Sequence, residues 1–367
     1  MKNVMDYMKQ ALSLARLALG QVSPNPAVGA VVVRGGEVVG QGYTQPPGSA
    51  HAEIVALQQA GEKAHGGVMY VTLEPCAHYG RTPPCTQAII DAGIAEVHMA
   101  MLDPNPLVAG RGEEVLQRED IRTYVGEHEE EARDVNEAYV KFISTGMPFV
   151  TAKFALSLDG DIATKSGDSK WISSSESRKY VHCLRYTTDA VMVGANTVII
   201  DDPRLTCRYG GKGGTTRKQP LRVIIDGKGR IPPDARIFGE PGSILLAVRE
   251  SIESEKKEAF IRAGAEVLEL PLTKGMLDLR VLIKALGERN ITGILVEGGG
   301  VLLGSLFDSG LVDKVVVFVA PIIIGGEKAR TAIAGVGADK VKDAVHLERI
   351  NVTQCGEDLM ITGYVRR

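Results

Sequence analysis

Two cysteines and a histidine lie within eleven residues, PCAHYGRTPPC, at positions 75 to 85. The tripeptide His51-Ala52-Glu53 adds a second histidine and an acidic side chain upstream. Thiolates and imidazole nitrogens are donors that zinc prefers in proteins. Three of these donors, on His51, Cys76 and Cys85, predict a zinc site with its fourth position left for water. Catalytic zinc sites have this arrangement, whereas structural sites use a fourth protein ligand.

The chemistry expected of such a site is hydrolysis. Zinc can lower the pKa of bound water to about 7, which makes hydroxide available as a nucleophile near neutral pH. Removal of an amine also requires a proton to reach the leaving nitrogen, and Glu53, two residues from His51, is placed to carry it. Zinc nucleobase deaminases combine H-x-E with P-C-x-x-C. Here eight residues separate the cysteines, so the chain from Ala77 to Pro84 must bulge outward.

Each of these residues also has a simpler interpretation when it is read alone. His51 could cap a helix, and Cys76 and Cys85 could be buried free thiols. His78 could be a fourth ligand, although it would fill the open position and leave Glu53 without a task. The five cysteines are odd in number, and in a reducing compartment a close cysteine pair binds metal more often than it forms a disulfide. The joint pattern favours catalytic zinc.

The bulk composition excludes some classes of protein. The 367 residues exceed what one hydrophobic core usually serves, and 42 glycines suit an α/β protein with many tight turns. A formal net charge of -3 gives no global attraction to nucleic acid. No uncharged run reaches the roughly 20 residues of a membrane span, and charges interrupt the apolar N-terminus. We therefore expect a cytoplasmic protein with neither nucleic-acid nor membrane partners.

Hydrophobic periodicity predicts the elements that position the zinc donors. The N-terminus forms an amphipathic helix that ends at Gly20, and two β-branched runs flank a glycine turn at 34 to 37, which indicates a hairpin. A helix from 51 to 60 and a helix opened by Cys85 would place two donors at helix N-termini, where the dipole favours a thiolate. A further helix is predicted over 129 to 144.

The pattern breaks near 144 to 148, so we predict two domains, residues 1–146 and 147–367. The second half alternates strands with helical stretches, which indicates a mostly parallel sheet covered by helices. Val296-Glu297-Gly298-Gly299-Gly300 follows a strand and precedes a helix, so free N–H groups there could hold a dinucleotide phosphate. A glycine-rich segment in this place more often only forms the turn between a strand and a helix and binds no ligand.

Seven segments together resemble one family, the bifunctional riboflavin-biosynthesis proteins, in which a pyrimidine deaminase is fused to a pyrimidine reductase. The segments span essentially the whole chain, and the long insert between the cysteines is this family's form of the deaminase motif. They are HAE at 51–53, TLEPCAHYGRTPPC at 72–85, DPNPLVAGRG at 103–112, SLDGDIAT at 157–164, SGDSKWIS at 166–173, DDPRLTCR at 201–208 and VEGGG at 296–300.

The resemblance implies an α/β fold class, with an N-terminal cytidine-deaminase-like α/β/α domain and a C-terminal dihydrofolate-reductase-like α/β domain. The first would use Zn²⁺ to hydrolyse the exocyclic amine of 2,5-diamino-6-ribosylamino-pyrimidinone 5'-phosphate. The second would use NADPH to reduce the ribosyl group of the deaminated product to ribityl. The implied partners are phosphorylated pyrimidine substrates, and we expect a homo-oligomer.

Matching positions also imply which residues bind the cofactor and the substrate. Those assigned to NADPH are Ala155, Trp171, Thr197, Asp201, Gly227, Gly299, Gly300, Val301, Leu302, Leu303, Gly304 and Ser305. Those assigned to the substrate are Asn25, which would touch the ring, Ser169, Arg185, Leu205, Arg208 and Glu297. The alternatives are a core anchor for Trp171 and solvated charges for the two arginines, although two forked cations suit one phosphate.

Residue type adds three hypotheses about substrate contacts. His78 and Arg81 lie in the bulge and could hold the substrate's phosphate or ring, and the alternative is a solvent-facing loop. Lys153 could contact the ribosyl chain.

Two rival functions remain open, a nucleoside or nucleic-acid deaminase with an unrelated second domain, and a structural zinc module. The acidic balance and the eight-residue bulge count against the first.

Overall fold

A computed structural model describes residues 6–78, 83–106, 108–209, 218–326 and 329–366. The chain divides into two compact units, Met1–Met147 and Pro148–Arg367. None of the helices in the described ranges has the length and apolar character needed to cross a bilayer.

The first unit is built around one five-stranded sheet. Its elements in chain order are α1 (Tyr7–Ala18), β1 (Gly29–Arg34), β2 (Glu37–Tyr43), α2 (Ala52–Ala60), β3 (Val68–Val71), α3 (Cys85–Asp91), β4 (Glu96–Met99), α4 (Arg111–Arg118), β5 (Arg122–Val125), α5 (Glu129–Val135) and α6 (Glu137–Thr145). The strand order is β2-β1-β3-β4-β5, in which β1 is antiparallel to both neighbours and β3, β4 and β5 are parallel.

Two sequence predictions for this unit have different outcomes. The hairpin is confirmed, because β1 and β2 are joined by Gly35 and Gly36, whose φ angles of 59° and 83° suit a two-residue turn. The single helix over 129 to 144 is wrong, because it breaks at Asn136. The Asn136 side chain accepts the N–H of Ala27 at 2.8 Å and donates to the Ala27 carbonyl at 3.0 Å. This buried pair fixes the chain before β1 to the start of α6.

Small residues allow helices to lie directly on the antiparallel strands. The buried face of α1 consists of Met8, Ala11, Leu12, Ala15 and Ala18. It crosses β1 at Gly29, where an added Cβ would lie 1.9 Å from the Ala11 carbonyl oxygen. Gly40 of β2 meets α2 in the same way, with an added Cβ 2.1 Å from the Ala56 carbonyl oxygen. The position of α2, and so of His51 before it, depends on this close packing.

The second unit contains a larger sheet. Its elements are β6 (Phe149–Ser157), β7 (Asp161–Ala163), α7 (Ser175–Thr187), β8 (Ala190–Gly194), α8 (Ala195–Asp201), β9 (Leu221–Ile225), β10 (Ile244–Arg249), α9 (Ser254–Arg262), β11 (Glu266–Leu270), β12 (Leu272–Thr273), β13 (Met276–Leu277), α10 (Leu279–Glu288), β14 (Gly293–Val296), α11 (Gly300–Asp308), β15 (Lys314–Ala320), β16 (Arg330–Thr331), β17 (Leu347–Cys355) and β18 (Asp358–Val365).

Nine of these strands form one sheet in the order β11-β10-β9-β8-β14-β6-β15-β18-β17. The pairs from β11 to β15 are all parallel, and only β18 pairs antiparallel with β15 and β17. The predicted mostly parallel sheet is therefore confirmed. Because the carboxyl ends of parallel strands meet at one edge, the segments after β8, β9, β10 and β14 open onto the same side of the sheet.

We predict that Gly29→Ala destabilises the first unit. The added methyl group would force α1 away from β1, so we expect the free energy of unfolding to fall by about 3 kcal/mol. Gly35→Ala is the matched control, because nothing lies within 4 Å of its added Cβ. This variant should lose only about 1 kcal/mol, the free energy of holding an alanine in the left-handed backbone conformation. Hydrogen exchange of the β1 and β3 amides measures this unit alone. Equal losses in the two variants would contradict the packing explanation.

Candidate functional site

His51, Cys76 and Cys85 converge in the first unit. The Nδ1 atom of His51 lies 3.2 Å from Sγ of Cys85 and 3.7 Å from Sγ of Cys76. The three donor atoms all lie within 4.8 Å of one another, and both cysteines are free thiols. One imidazole and two thiols at these separations fit the three-donor set of an open tetrahedral zinc site.

Each donor is positioned by the end of an element. His51 directly precedes α2 in extended backbone, and Cys85 is the first residue of α3. Cys76 lies in the loop after β3, where its sulfur accepts the N–H of Cys85 at 3.3 Å and its carbonyl accepts the N–H of Thr86 at 3.2 Å. The start of α3 therefore holds the loop, and its N–H groups favour negative charge on the Cys76 sulfur.

The electrostatics of the two thiols are opposite. The hydrogen bond from the Cys85 thiol, together with His51, lowers the pKa of Cys76 to about 4. The same bond, together with burial, raises the pKa of Cys85, and the hydrogen bond with Cys76 raises the pKa of His51. The two thiols thus share one proton, which a metal ion bound between them would displace.

Glu53 lies beside this cluster without belonging to it. Its side chain is only 4% exposed, and burial together with the charge of Cys76 raises its pKa to about 7. Its carboxyl group also hydrogen-bonds with the Cys85 thiol. A carboxyl group with a pKa close to 7 can accept and release a proton at neutral pH, which is the property required of a general acid and base.

Glu74 is a buried carboxylate to which the sequence interpretation gives no role. Its two oxygens accept four backbone N–H groups at 2.7 to 3.2 Å, from Asp103, Gly110, Gly112 and Glu113. An added Cβ on Gly112 would lie 2.1 Å from the Pro75 carbonyl oxygen. Glu74 therefore fixes the segment 103 to 113 against the residue that precedes Cys76. Its position between a buried strand and Pro75-Cys76 is the signal that could have identified it.

The other predicted residues of the first unit are more exposed. The turn that holds Asn25 is closed by its N–H, which donates to the Val22 carbonyl at 2.8 Å, and the side chain is exposed. His78 is exposed as well. Burial raises the pKa of Asp103, although nearby His78 acts in the opposite direction. Arg81 lies outside the described residues. Contact of Asn25 and His78 with a substrate stays a prediction.

The second unit contains a cleft of about 1410 Å³ at the carboxyl edge of its parallel strands. Most of the residues assigned by resemblance line it, together with Lys153. They are Lys153, Ala155, Ser169, Trp171, Arg185, Thr197, Asp201, Arg208, Gly227, Glu297, Gly299, Gly300, Val301, Leu302, Leu303 and Ser305.

Leu205 and Gly304 do not line this cleft. Leu205 is buried in the hydrophobic core together with Ile237. Gly304 lies where α11 meets another segment, since an added Cβ would be 1.7 Å from the Ala334 carbonyl oxygen. For Gly304 this contact explains the glycine without any ligand.

Arg185 and Glu297 form a bidentate ion pair within the cleft. The Nε and Nη2 atoms of Arg185 donate to the two carboxylate oxygens, the latter at 2.7 Å, and Nη1 donates to the Thr206 carbonyl at 3.0 Å. Burial acts to raise the pKa of Glu297, but Arg185 and then Lys153 outweigh it and hold that pKa below its usual range. Burial also lowers the pKa of Lys153. The cleft thus contains a compact charged cluster.

This pair changes the expectation that Arg185 and Arg208 jointly clasp one phosphate. The fork of Arg185 is engaged by Glu297, whereas Arg208 is exposed and donates from Nε to the Nε2 atom of His182 at 3.1 Å. Burial and the two arginines lower the pKa of His182 to about 4, so its imidazole is neutral and can accept this bond. His182, which the sequence interpretation missed, therefore orients Arg208.

The glycine run after β14 has the properties of a phosphate cradle. Gly298 and Gly299 have φ angles of 149° and 88°, and an added Cβ on Gly299 would lie 3.4 Å from the Thr197 hydroxyl oxygen. The first-turn N–H groups of α11 have no helical acceptor and adjoin the cleft. These features fit the pyrophosphate of a dinucleotide.

Trp171 is not a core anchor. Its side chain is 70% exposed, lines the cleft, and has the guanidinium of Arg178 4.6 Å above its ring centre. An exposed aromatic surface at a cleft suits stacking with a flat ligand.

Comparison with known protein families gives two matches that together cover most of the chain. The RibD C-terminal domain matches residues 148–361, and the cytidine and deoxycytidylate deaminase zinc-binding region matches residues 1–101. These matches confirm the predicted α/β fold class with its two kinds of domain.

Curated proteins and solved structures match over nearly their whole length. The riboflavin biosynthesis protein RibD of Aquifex aeolicus is 46% identical, and that of Escherichia coli is 41% identical, each over 97% of both chains. A structure of Acinetobacter baumannii RibD has a TM-score of 0.87 and 37% identity over 98% of both chains. A diaminohydroxyphosphoribosylaminopyrimidine deaminase/5-amino-6-(5-phosphoribosylamino)uracil reductase from Thermotoga maritima has a TM-score of 0.85 and 34% identity over the same share of both chains.

We predict a pH-dependent effect of Glu53→Gln on the stability of metal-free protein. The pKa of Glu53, raised from 4.5 to about 7, favours the folded state fully below pH 4.5, and this contribution is lost as the pH rises through 7. Relative to the unaltered protein, the variant should gain about 3 kcal/mol between pH 4.5 and pH 8. Urea unfolding at the two pH values measures this gain. A difference that is constant with pH would show that burial does not perturb Glu53.

Proposed function

The chain belongs to the RibD family of riboflavin biosynthesis proteins and is a bifunctional deaminase and reductase; we propose that residues 1–146 carry the zinc-dependent deamination and residues 147–367 the NADPH-dependent reduction. The first reaction removes the exocyclic amine of 2,5-diamino-6-ribosylamino-pyrimidinone 5'-phosphate. The second reduces the ribosyl group of the deaminated product to ribityl.

The convergence of His51, Cys76 and Cys85 beside a buried Glu53 is the observation that carries the deaminase proposal. When zinc is bound by these three residues, it supplies Lewis-acid activation of water for attack on the pyrimidine carbon. Glu53 accepts a proton from that water and delivers it to the amine nitrogen, which leaves as ammonia. The environment of Glu53 supports both steps, because its pKa of about 7 allows either protonation state.

Glu74 supports the same site without touching it. By accepting four backbone N–H groups, it holds the segment 103 to 113 beside Pro75 and so restrains Cys76. Asn25, His78 and Arg81 are proposed to contact the pyrimidine or its phosphate.

In the second unit, the glycine run and the start of α11 are proposed to hold the pyrophosphate of NADPH, which supplies the hydride when bound. Trp171, Thr197 and Asp201 would line the nicotinamide side of the same cleft. Lys153, Arg185 and Glu297 would contact the ribosyl chain, which their shared position in the cleft supports. Arg208, oriented by His182, is proposed to bind the substrate's phosphate, and Ser169 to contact the same substrate.

A homo-oligomer is proposed from the edge of the large sheet. The strand β17 ends this sheet and exposes apolar side chains, with Ile350 59% and Val352 55% exposed. The unpaired side of this nine-residue edge strand offers backbone groups with which another chain can pair. A second copy of the chain is the proposed partner.

We predict that Glu53→Gln removes deamination but not zinc. Loss of the proton carrier should lower kcat by about a thousandfold, while elemental analysis should still find one zinc per chain. Glu62→Gln, an exposed position in the turn after α2, is the matched control and should keep full activity. Deamination that persists in Glu53→Gln would contradict the proposed role. A protein that binds zinc and never deaminates would instead be a structural zinc module.

We also predict that the two activities separate when zinc is removed. Chelation should stop NADPH oxidation that starts from the diamino substrate, because deamination must come first. Oxidation that starts from the deaminated substrate should continue at an unchanged rate. Equal loss of both reactions would contradict two independent sites.

Binding of RNA with a steep salt dependence would favour a nucleic-acid deaminase instead.

A further inference from the structure

The helix α7 presents four side chains to the cleft of the second unit. They are Arg178, Val181, His182 and Arg185. Their positions, at i, i+3, i+4 and i+7, place them on one stripe of the helix. The four include the partners of Trp171, Arg208 and Glu297. A shift of α7 along its axis would therefore disturb several contacts of the cleft at once.

Little of α7 is buried in the apolar core. Among its 13 residues, all of which the structure describes, Ser177 and Val181 are the buried ones. Val181 packs in one cluster with Val316 and Phe318 of β15. Apolar contacts have no preferred direction, whereas hydrogen bonds do. The position of α7 along its axis is therefore fixed most precisely by its polar contacts.

Asp358, the first residue of β18, supplies such contacts at the start of α7. Its carboxylate is buried, with 1% of the residue exposed. The Oδ2 atom accepts the N–H of Ser174 at 2.8 Å and the hydroxyl group of Ser177 at 2.5 Å. The negative charge also lies at the helix end where the dipole is positive. Asp358 thus joins the first turn of α7 to the sheet.

The hairpin turn before Asp358 contacts the same turn of the helix. The carbonyl oxygen of Cys355 accepts the hydroxyl group of Ser174 at 3.1 Å. Gly356, in the turn between β17 and β18, has a φ of 65°. An added Cβ there would lie 2.9 Å from Cβ of Glu176 in the first turn of α7. The close approach leaves the helix start little room to move relative to the hairpin.

Capping alone does not account for the buried charge of Asp358. The hydroxyl group of Ser174 already caps α7, because it accepts the N–H of Ser177 at 3.2 Å. Asp358 is not among the residues that line the cleft. A buried carboxylate is costly unless its partners compensate for the loss of water. What this carboxylate adds to the serine cap is a directional attachment of α7 to β18.

We propose that Asp358 is a positioning residue of the reductase, which holds the start of α7 so that Arg178 and Trp171 keep the geometry that cofactor binding requires. Arg178 lies about one turn from Ser174, whereas Arg185 lies about three turns away and is held in addition by Glu297. The effect of Asp358 is therefore larger on the cofactor than on the substrate. The proposal rests on the reductase function proposed for this cleft.

Trp171 provides a direct measurement, because it is the only tryptophan of the chain. Reduced nicotinamide absorbs where tryptophan emits, so quenching of this fluorescence follows NADPH binding to the full-length protein. In Asp358→Ala, the Kd for NADPH should rise about tenfold, the equivalent of one hydrogen bond. The fluorescence anisotropy of Trp171 without NADPH should fall, because the ring loses its contact with Arg178. Asp358→Asn keeps an oxygen acceptor and should stay within about threefold of the unaltered protein.

Asp313→Ala is the matched control for a loss of stability alone. Asp313 is also buried in the second unit, and its Oδ2 atom accepts the N–H of Val150 at 2.7 Å. It lies at the amino ends of β6 and β15, at the opposite edge of the sheet from the cleft. Urea unfolding should show a loss of stability in both alanine variants, with NADPH binding unchanged in Asp313→Ala. Unchanged NADPH binding in Asp358→Ala as well would overturn the proposal.

Steady-state kinetics with the deaminated substrate provide a second criterion. In Asp358→Ala, the KM for NADPH should rise about tenfold and the KM for the substrate less than threefold. Equal rises in the two would indicate general loosening of the unit and would overturn the positioning role. Ser177→Ala removes one donor and keeps the carboxylate, so it serves as the test variant if Asp358→Ala does not fold. Its Kd for NADPH should rise about threefold, and an unchanged Kd would overturn the proposal.

Failure of the proposed reductase function would give a different result. In that case the unaltered protein would neither bind NADPH nor oxidise it with the deaminated substrate, and this proposal would fail with the reductase assignment. If the unaltered protein binds and oxidises NADPH and Asp358→Ala does so equally well, only the positioning role of Asp358 is overturned.

Discussion

Parallel pairing of strands is the constraint on which both sites depend. Parallel strands are hydrogen-bonded along their length and end at a common edge, so the segments that follow them are brought together whatever their separation in sequence. In the first unit, the pairing of β3 with β4 continues beyond the strands, because the N–H of Glu74 donates to the Met101 carbonyl at 3.0 Å. In the second unit, β6, β8, β9, β10 and β14 all deliver residues to one cleft.

Buried charge then fixes these segments with more precision than strand pairing can. Glu74 satisfies four backbone donors, and Arg185 and Glu297 satisfy each other across 112 residues of sequence. A buried carboxylate is stable only when such partners compensate for the loss of water. Glu53 is the contrasting case: it is buried near a thiolate, and its raised pKa reflects that unfavourable environment. The first two carboxylates build the sites, whereas Glu53 retains a proton equilibrium that chemistry can use.

The sequence predicted best where residue type alone restricts the chemistry. Cysteine, histidine and glutamate in a fixed order have few joint uses, so His51, Cys76, Cys85 and Glu53 could be grouped before their distances were known. The glycine turn of the hairpin and the parallel sheet follow from equally local patterns. The position of Glu74 before Pro75-Cys76 could have marked it as part of the site. What it binds could not be predicted, because its four donors lie 29 to 39 residues away and no pattern marks them.

Tertiary contacts overturn one prediction and supply a second explanation for another. The helix over 129 to 144 has suitable periodicity, yet the paired hydrogen bonds between Asn136 and Ala27 interrupt it. The resemblance implies that Gly304 binds the cofactor, and this stays a prediction, but the close approach of the Ala334 backbone gives the glycine a structural reason of its own. Both contacts join residues far apart in the chain, and such contacts leave no spacing in the sequence.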